Sequence, residues 1–267
     1  MTVNDVINIL EQRSPESSAE EWDRGNVGLQ VGDRDAYVSK IYLALDATPE
    51  VVSTAIDLGA EMIVTHHPMI FGGINKINSD SSLGCRILDL ARRGTALFCM
   101  HTNYDVTVMA QNSAELLGLV NDEVFFVTGN DAYGRPEGIG RIGELRSEMT
   151  LKELAVRIKE RFNIPSLRYY GAPDAPVRVA AISPGSGKSM ISTALEKKAD
   201  VLVTGDIDHH TGIDSEADGL CIIDAGHYGT EHIFVDEVYD YLTRSLATMG
   251  EAIDIIKSPD KNPFEVI

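Results

Sequence analysis

Two segments of this chain follow one plan, and that plan restricts the fold more than any other feature. In residues 41–67 an apolar run, Ile41-Tyr42-Leu43-Ala44-Leu45, leads to Asp46. Thr48-Pro49 then opens a helical pattern that stops at Gly59, and Met62-Ile63-Val64-Thr65 runs into His66-His67. In residues 177–210 the run Val177-Arg178-Val179-Ala180-Ala181-Ile182 leads to a glycine-rich turn and a helical stretch. Val201-Leu202-Val203-Thr204 follows, and His209-His210 comes after Gly205-Asp206-Ile207-Asp208. Short apolar runs alternating with helical spacing read as βαβ units, which require an α/β fold. Two copies imply an internal duplication into two similar subdomains. The Gly, Asn, Asp and Pro gathered over residues 124–137 are expected to mark a domain boundary.

In α/β folds, sites lie at the carboxyl ends of the strands. Three such ends carry residues able to ligate a metal. His66-His67-Pro68 ends one strand. His101-Thr102-Asn103-Tyr104-Asp105 follows the apolar run 95–100, with Asp105 a candidate carboxylate. His101 could orient it or touch a ligand, or be an ordinary strand-end histidine. The third end lies in residues 219–234. There an apolar run breaks at Asp224-Ala225-Gly226, and His227 and Glu231 follow. At helical spacing His227 and Glu231 are about 40° apart on one face, whereas His232 points elsewhere. An imidazole beside a carboxylate suits a divalent metal. The competing reading is a solvated i,i+4 pair.

Two further motifs are weaker. Pro184-Gly185-Ser186-Gly187-Lys188-Ser189 resembles a phosphate loop, but Ile182 stands where that loop needs its first glycine. It reads as a strand-to-helix turn, with a phosphate contact at the helix start as the lesser alternative. Asp208-His209-His210 is the three-residue mark of the DHH phosphoesterases, without their further aspartate motifs. Trp22, the only tryptophan, lies in a glycine-rich loop whose default role is structural.

Charge narrows the partners. Asp and Glu number 41 against 23 Lys and Arg, a net charge of −18, which argues against sequence-independent nucleic-acid binding and against anionic membranes. No apolar run approaches the roughly 20 residues of a membrane span, and the N-terminus lacks a secretory pattern. Cys85, Cys99 and Cys221 form no paired motif. They read as reduced core residues of a cytoplasmic protein.

Taken together, several stretches resemble one family. They are Asn26-Val27-Gly28-Leu29-Gln30-Val31-Gly32-Asp33, Val64-Thr65-His66-His67-Pro68, His101-Thr102-Asn103-Tyr104-Asp105, Thr204-Gly205-Asp206 and Asp224-Ala225-Gly226-His227-Tyr228-Gly229-Thr230-Glu231. The family is the dinuclear-metal group known as GTP cyclohydrolase 1 type 2, or Nif-three-like. The resemblance implies five metal ligands, His66, His67, Asp105, His227 and Glu231, with Glu231 bridging two divalent ions of Zn, Mn, Fe or Co. It implies two interwoven α/β subdomains with mixed sheets flanked by helices. These are expected as residues 1–128 with 222–267, carrying most ligands, and residues 129–221. A ring-shaped homohexamer is implied as well, and a metal-dependent hydrolase acting on a C–N bond of a nucleotide-like substrate. A non-catalytic metal-binding scaffold and a phosphoesterase are the alternatives. The candidates for moving a proton are His101, His209 and His210. Arg24-Gly25 interrupts the family's Trp-Asp-Asn run, Asp206 stands where glutamate is usual, and the mid-chain insert of longer members is missing.

Overall fold

The computed structural model describes residues 1–259 and 261–266. The chain divides into two compact units, Met1–Tyr104 with Ile233–Lys261, and Asp105–His232 with Asn262–Ile267.

The first unit is built on a five-stranded sheet. Strands β2 (Lys40–Ala44), β3 (Met62–Thr65) and β4 (Ala96–Cys99) run parallel. Strand β1 (Gly28–Val31) pairs antiparallel with β4, and the C-terminal strand Asp254–Lys257 pairs parallel with β2. Every residue of β3 and β4 is buried, which is why these strands are continuous apolar runs rather than alternating ones. The connecting helices start where local chemistry dictates. Thr48 accepts from the amide of Val51 with Pro49 in the first turn, and Ser81 accepts from Gly84. Gly94 ends the helix Ser82–Arg93 in the left-handed conformation. Val52, Ala55, Ile87 and Leu90 of these helices close over Tyr42, Ile63 and Leu97 of the sheet.

The second unit repeats that plan. Strands β8 (Pro176–Ser186), β9 (Val201–Gly205) and β10 (Cys221–Asp224) run parallel, and the antiparallel β7 (Arg168–Tyr170) lies beside β10 as β1 lies beside β4. Strands β5 (Leu119–Asn130) and β6 (Pro136–Thr150) extend the sheet from β8 as an antiparallel hairpin. Both faces of this sheet are covered. Val201, Val203 and Ile223 pack with Leu151, Leu154 and Ile158, whereas Leu202 and Ile222 pack with Met190 and Ala194.

Residues 124–137, expected as a boundary loop, form most of the β5–β6 hairpin. Val124 and Phe125 are buried and residues 126–130 exposed, so the strand leaves the core after Phe125 without an in–out alternation. Gly129, Asn130 and Pro136 are paired within the two strands, and Asp131 and Gly134 make the tip, where the Asp131 carboxylate accepts from the amides of Tyr133 and Arg135. Breaks at 128/129 and 221/222 would cut β5 and β10 away from their partners. The structure instead divides the chain at Tyr104/Asp105 and His232/Ile233. The helical pattern read across Glu231 is two helices, His227–Glu231 and Ile233–Met249.

Candidate metal centre

In the first unit, three imidazoles converge beyond the ends of β3 and β4. His66 follows Thr65 directly and is fully buried; its Nδ1 lies 2.7 Å from the Met100 carbonyl oxygen. His67 places Nδ1 2.8 Å from Asp46 Oδ1, and His101 places Nδ1 2.8 Å from Asp23 Oδ2. Carbonyls and carboxylates only accept, so each Nδ1 donates its hydrogen. The basic nitrogen of each neutral ring is then Nε2. One ligating nitrogen from each ring lies within 4.8 Å of the other two. Imidazoles fixed in this tautomer by an oxygen behind them are the usual form of histidine metal ligands.

Asp23 holds the His101 side of this set. Its side chain is wholly buried, yet four hydrogen bonds reach it. His101 Nδ1, the Thr102 amide at 3.2 Å and Thr102 Oγ1 at 2.7 Å donate to Oδ2, and Asn26 Nδ2 at 3.0 Å donates to Oδ1. Burial pushes the carboxyl up, but the donors of His101, Thr102 and Asn26 outweigh it and hold it down at about 2. Arg24 and Gly25, which interrupt the family's run, are exposed, so the two residues bulge outward while Asn26 still closes on Asp23.

In the second unit, β10 ends at Asp224. This carboxylate is 4% exposed, pairs with Arg168 at 2.7 Å, and accepts the Gly226 amide at 3.0 Å and the Ile207 amide at 3.1 Å. Those bonds fix the turn that starts the helix His227–Glu231. The i,i+4 spacing then does what the sequence implied. His227 Nε2 lies 3.0 Å from Glu231 Oε2, and His227 Nδ1 lies 2.7 Å from Asp206 Oδ2. Glu231 is 4% exposed, which sets aside the solvated-pair reading. Asp105 opens a π-helical turn, Asp105–Met109, an irregularity common at functional positions. A carboxylate oxygen of Asp105 lies within 4.8 Å of one from Glu231.

The glycine-rich turn after Ile182 serves Glu231 rather than a phosphate. Gly185 donates its amide to Thr230 Oγ1 at 2.9 Å, and a Cβ on Gly185 would lie 2.3 Å from Glu231 Oε1. A Cβ on Gly187 would lie 1.9 Å from Thr204 Oγ1, and one on Gly205 would lie 2.4 Å from the His227 nitrogen. Backbone must pass here without side chains, which is the reason for glycine.

The structure does not extend the repeat to the second histidine pair. Met62 pairs with Ala96 and Val201 with Cys221, so β3 and β9 correspond residue by residue. Gly205 and Asp206 then match His66 and His67, while His209 and His210 lie farther on. Both are exposed, in the first turn of the helix His209–Ala217. Asp208 caps that helix, accepting from the Thr211 amide at 3.1 Å and from Lys188 Nζ at 2.7 Å. The Lys188 ammonium and the Thr211 donors hold its carboxyl well below the usual range. The Asp-His-His run is thus a capped helix start. Among the described residues His209 and His210 join none of the ligand groups.

Sequence reasoning did not single out Asp23 and Asp46 as partners of His101 and His67. Their position was a usable signal for Asp46, an acid placed just after a strand facing the site. In each unit the donors, imidazoles backed by oxygens in the first and His227 with the buried Glu231 in the second, are of the kind that fits borderline divalent ions.

The model of the Duf34/NIF3 (NGG1p interacting factor 3) family matches residues 1–263. A Clostridium acetobutylicum protein named GTP cyclohydrolase 1 type 2 homolog is 38% identical over 266 residues, covering 99% of this chain and 98% of its own. The crystal structure of a Staphylococcus aureus hypothetical protein matches with a TM-score of 0.89 at 31% identity, covering 100% of this chain and 99% of its own. That of a Bacillus cereus protein related to NIF3 matches with a TM-score of 0.91 at 25% identity and the same coverage. With a family match along almost its whole length and relatives of equal extent, this chain belongs to the DUF34/NIF3 family.

Proposed function

We propose that the chain is a dinuclear-metal hydrolase that opens a C–N bond of a nucleotide-like substrate. His66, His67, Asp105, His227 and Glu231 would hold two divalent ions drawn from Zn, Mn, Fe and Co, with Glu231 the shared ligand that the family resemblance implies. The observation that carries this reading is the common orientation of His66, His67 and His227. Each turns Nδ1 to an oxygen, at 2.7, 2.8 and 2.7 Å, leaving Nε2 as the basic atom. A pair of such ions would lower the pKa of water and polarise the bond under attack. His101, in the same tautomer, accepts a proton at Nε2, and the Asp23 carboxylate behind it stabilises the resulting cation. His209 and His210, at an exposed helix start, are the weaker candidates for proton transfer. The clostridial relative's name points to GTP. There one water would add at C8 and open the imidazole ring of guanine to a formamide, and a second would hydrolyse that formamide to release C8 as formate.

The test is metal content and turnover on the same preparation. Native protein should carry about two ions per chain, and Glu231→Gln fewer than one, because removing a carboxylate's charge weakens a shared ligand most. Unchanged metal in the variant rejects the ligand set. Two ions with neither formate release from GTP nor hydrolysis on a substrate panel leaves the metal-binding scaffold.

The assembly is proposed to be a cytoplasmic homohexamer, on the resemblance alone. Light scattering should then give six times the 29.1 kDa chain mass. No helix among the described residues is long and apolar enough to cross a membrane.

A further inference from the structure

Three aromatic rings of the first unit stand at nearly equal separations. Trp22 and Phe71 are 6.3 Å apart, Trp22 and His101 6.2 Å, and Phe71 and His101 6.4 Å between ring centroids. Both carbon-rich rings meet His101 edge-on, at 86° and 81°. Yet Trp22 is 61% exposed and Phe71 62% exposed, so each offers a face to solvent. Large aromatic rings left this open, beside a buried polar site, are unusual unless they contact something.

They are not loosely held. Asn26 Nδ2 bonds Asp23, next to Trp22, and Asn26 Oδ1 accepts the Gly72 amide, next to Phe71, at 2.7 Å. Gln30 fastens the same two loops. Its Nε2 donates at 2.8 Å to both Asn26 O and Ile70 O, and its Oε1 accepts the Ile70 amide at 3.0 Å. Asp23 in turn fixes His101. One hydrogen-bonded network therefore sets the positions of both exposed rings and of the imidazole. His101 is continuous with His66 and His67, so the rings border the ligating nitrogens.

We propose that Trp22 and Phe71 form the stacking surface for a flat heteroaromatic ring, the base of a nucleotide-like substrate. The ring stacks on the outward face of Trp22 and meets Phe71, tilted 50° from that plane, at its edge. A ring inserted between them would need about 7–8 Å, two carbon contact distances, which exceeds their 6.3 Å separation. Base-on-aromatic stacking is tolerant of base identity, so this surface places the ring while the metal side selects the bond. The assignment rests on the hydrolase reading, since it says where that substrate's flat part goes. The two fail separately, because metal content reports the ligands and ring binding reports the stack.

Trp22 is the only tryptophan, so its emission reports the stack directly. Metal-loaded protein would be titrated with guanosine, with GTP and with tripolyphosphate, using free tryptophan to correct for absorption by the base. Expected are saturable quenching by guanosine and GTP and no change with tripolyphosphate alone. Phe71→Ala should weaken guanosine binding about tenfold, or about 1.4 kcal/mol, and Phe71→Tyr should restore it. Two results would overturn the proposal: no saturable response to guanosine in folded protein, or quenching by tripolyphosphate equal to that by GTP. A third is Trp22 emission that follows protein concentration and ignores guanosine, with Phe71→Ala changing the oligomeric mass. That result would assign the rings to a contact between copies of the chain.

Discussion

Asp23→Ala is expected to lower stability by about 3–5 kcal/mol, a loss on the scale of breaking a buried, hydrogen-bonded charge. The change removes an acceptor of four hydrogen bonds and leaves His101 Nδ1, the Thr102 amide and Asn26 Nδ2 facing a void. Denaturant unfolding in the presence of a chelator checks it without any contribution from bound metal. The loss has a pH signature. The Asp23 carboxyl sits at about 2 in the folded chain against 3.8 ordinarily. A lowered folded value stabilises at pH above the ordinary one, here by about 2 kcal/mol. That contribution fades as pH falls from 3.8 toward 2. The gap between wild type and variant should therefore narrow by about 1 kcal/mol between pH 6 and pH 3. A gap that stays constant would mean the carboxylate's hydrogen bonds are not what the variant loses.

Gly185→Ala should disturb the His227–Glu231 group of the second unit. Gly185 has φ +72°, a conformation that costs an alanine about 1–2 kcal/mol. The added methyl would also lie 2.3 Å from Glu231 Oε1 and 3.5 Å from His227 Nε2. Either the turn or Glu231 must move. The expected outcome is a stability loss of about 2–3 kcal/mol together with at least tenfold weaker metal binding, read by competition with a chromophoric chelator. Gly59→Ala is the control. Its φ of +71° carries the same backbone cost, but nothing lies within 4 Å of the added methyl. It should lose about 1–2 kcal/mol and keep its metal. Equal loss of metal in both variants would show that the close approach of Gly185 to Glu231 has no part in the site.

Neither effect could be read from local sequence, whereas much of the frame could. The runs ending at Thr65 and Thr204 were legible as strands because both faces are covered, and a strand buried on both sides has to be apolar throughout. The helix start at Thr48-Pro49 was legible because capping is settled within four residues. The β5–β6 hairpin was obscured. Its tip carries strong turn residues, and residues 126–130 are all exposed, so no apolar alternation marks the strand over a short window.

The sequence by itself determined the parallel α/β repeat, the gathering of ligand-capable residues at the carboxyl-terminal strand ends, and the pairing of His227 with Glu231. Each of these follows from spacing over a few residues, and backbone geometry converts spacing into direction. Only the tertiary structure decided which oxygens stand behind the imidazoles. It brought Asp23 to His101 across 78 positions, Asp46 to His67 across 21 and Asp206 to His227 across 21. It likewise decided that Gly185 presses on Glu231 and that Asp208-His209-His210 is a helix cap. Such contacts depend on where separate strands end relative to one another, a quantity that no local pattern contains.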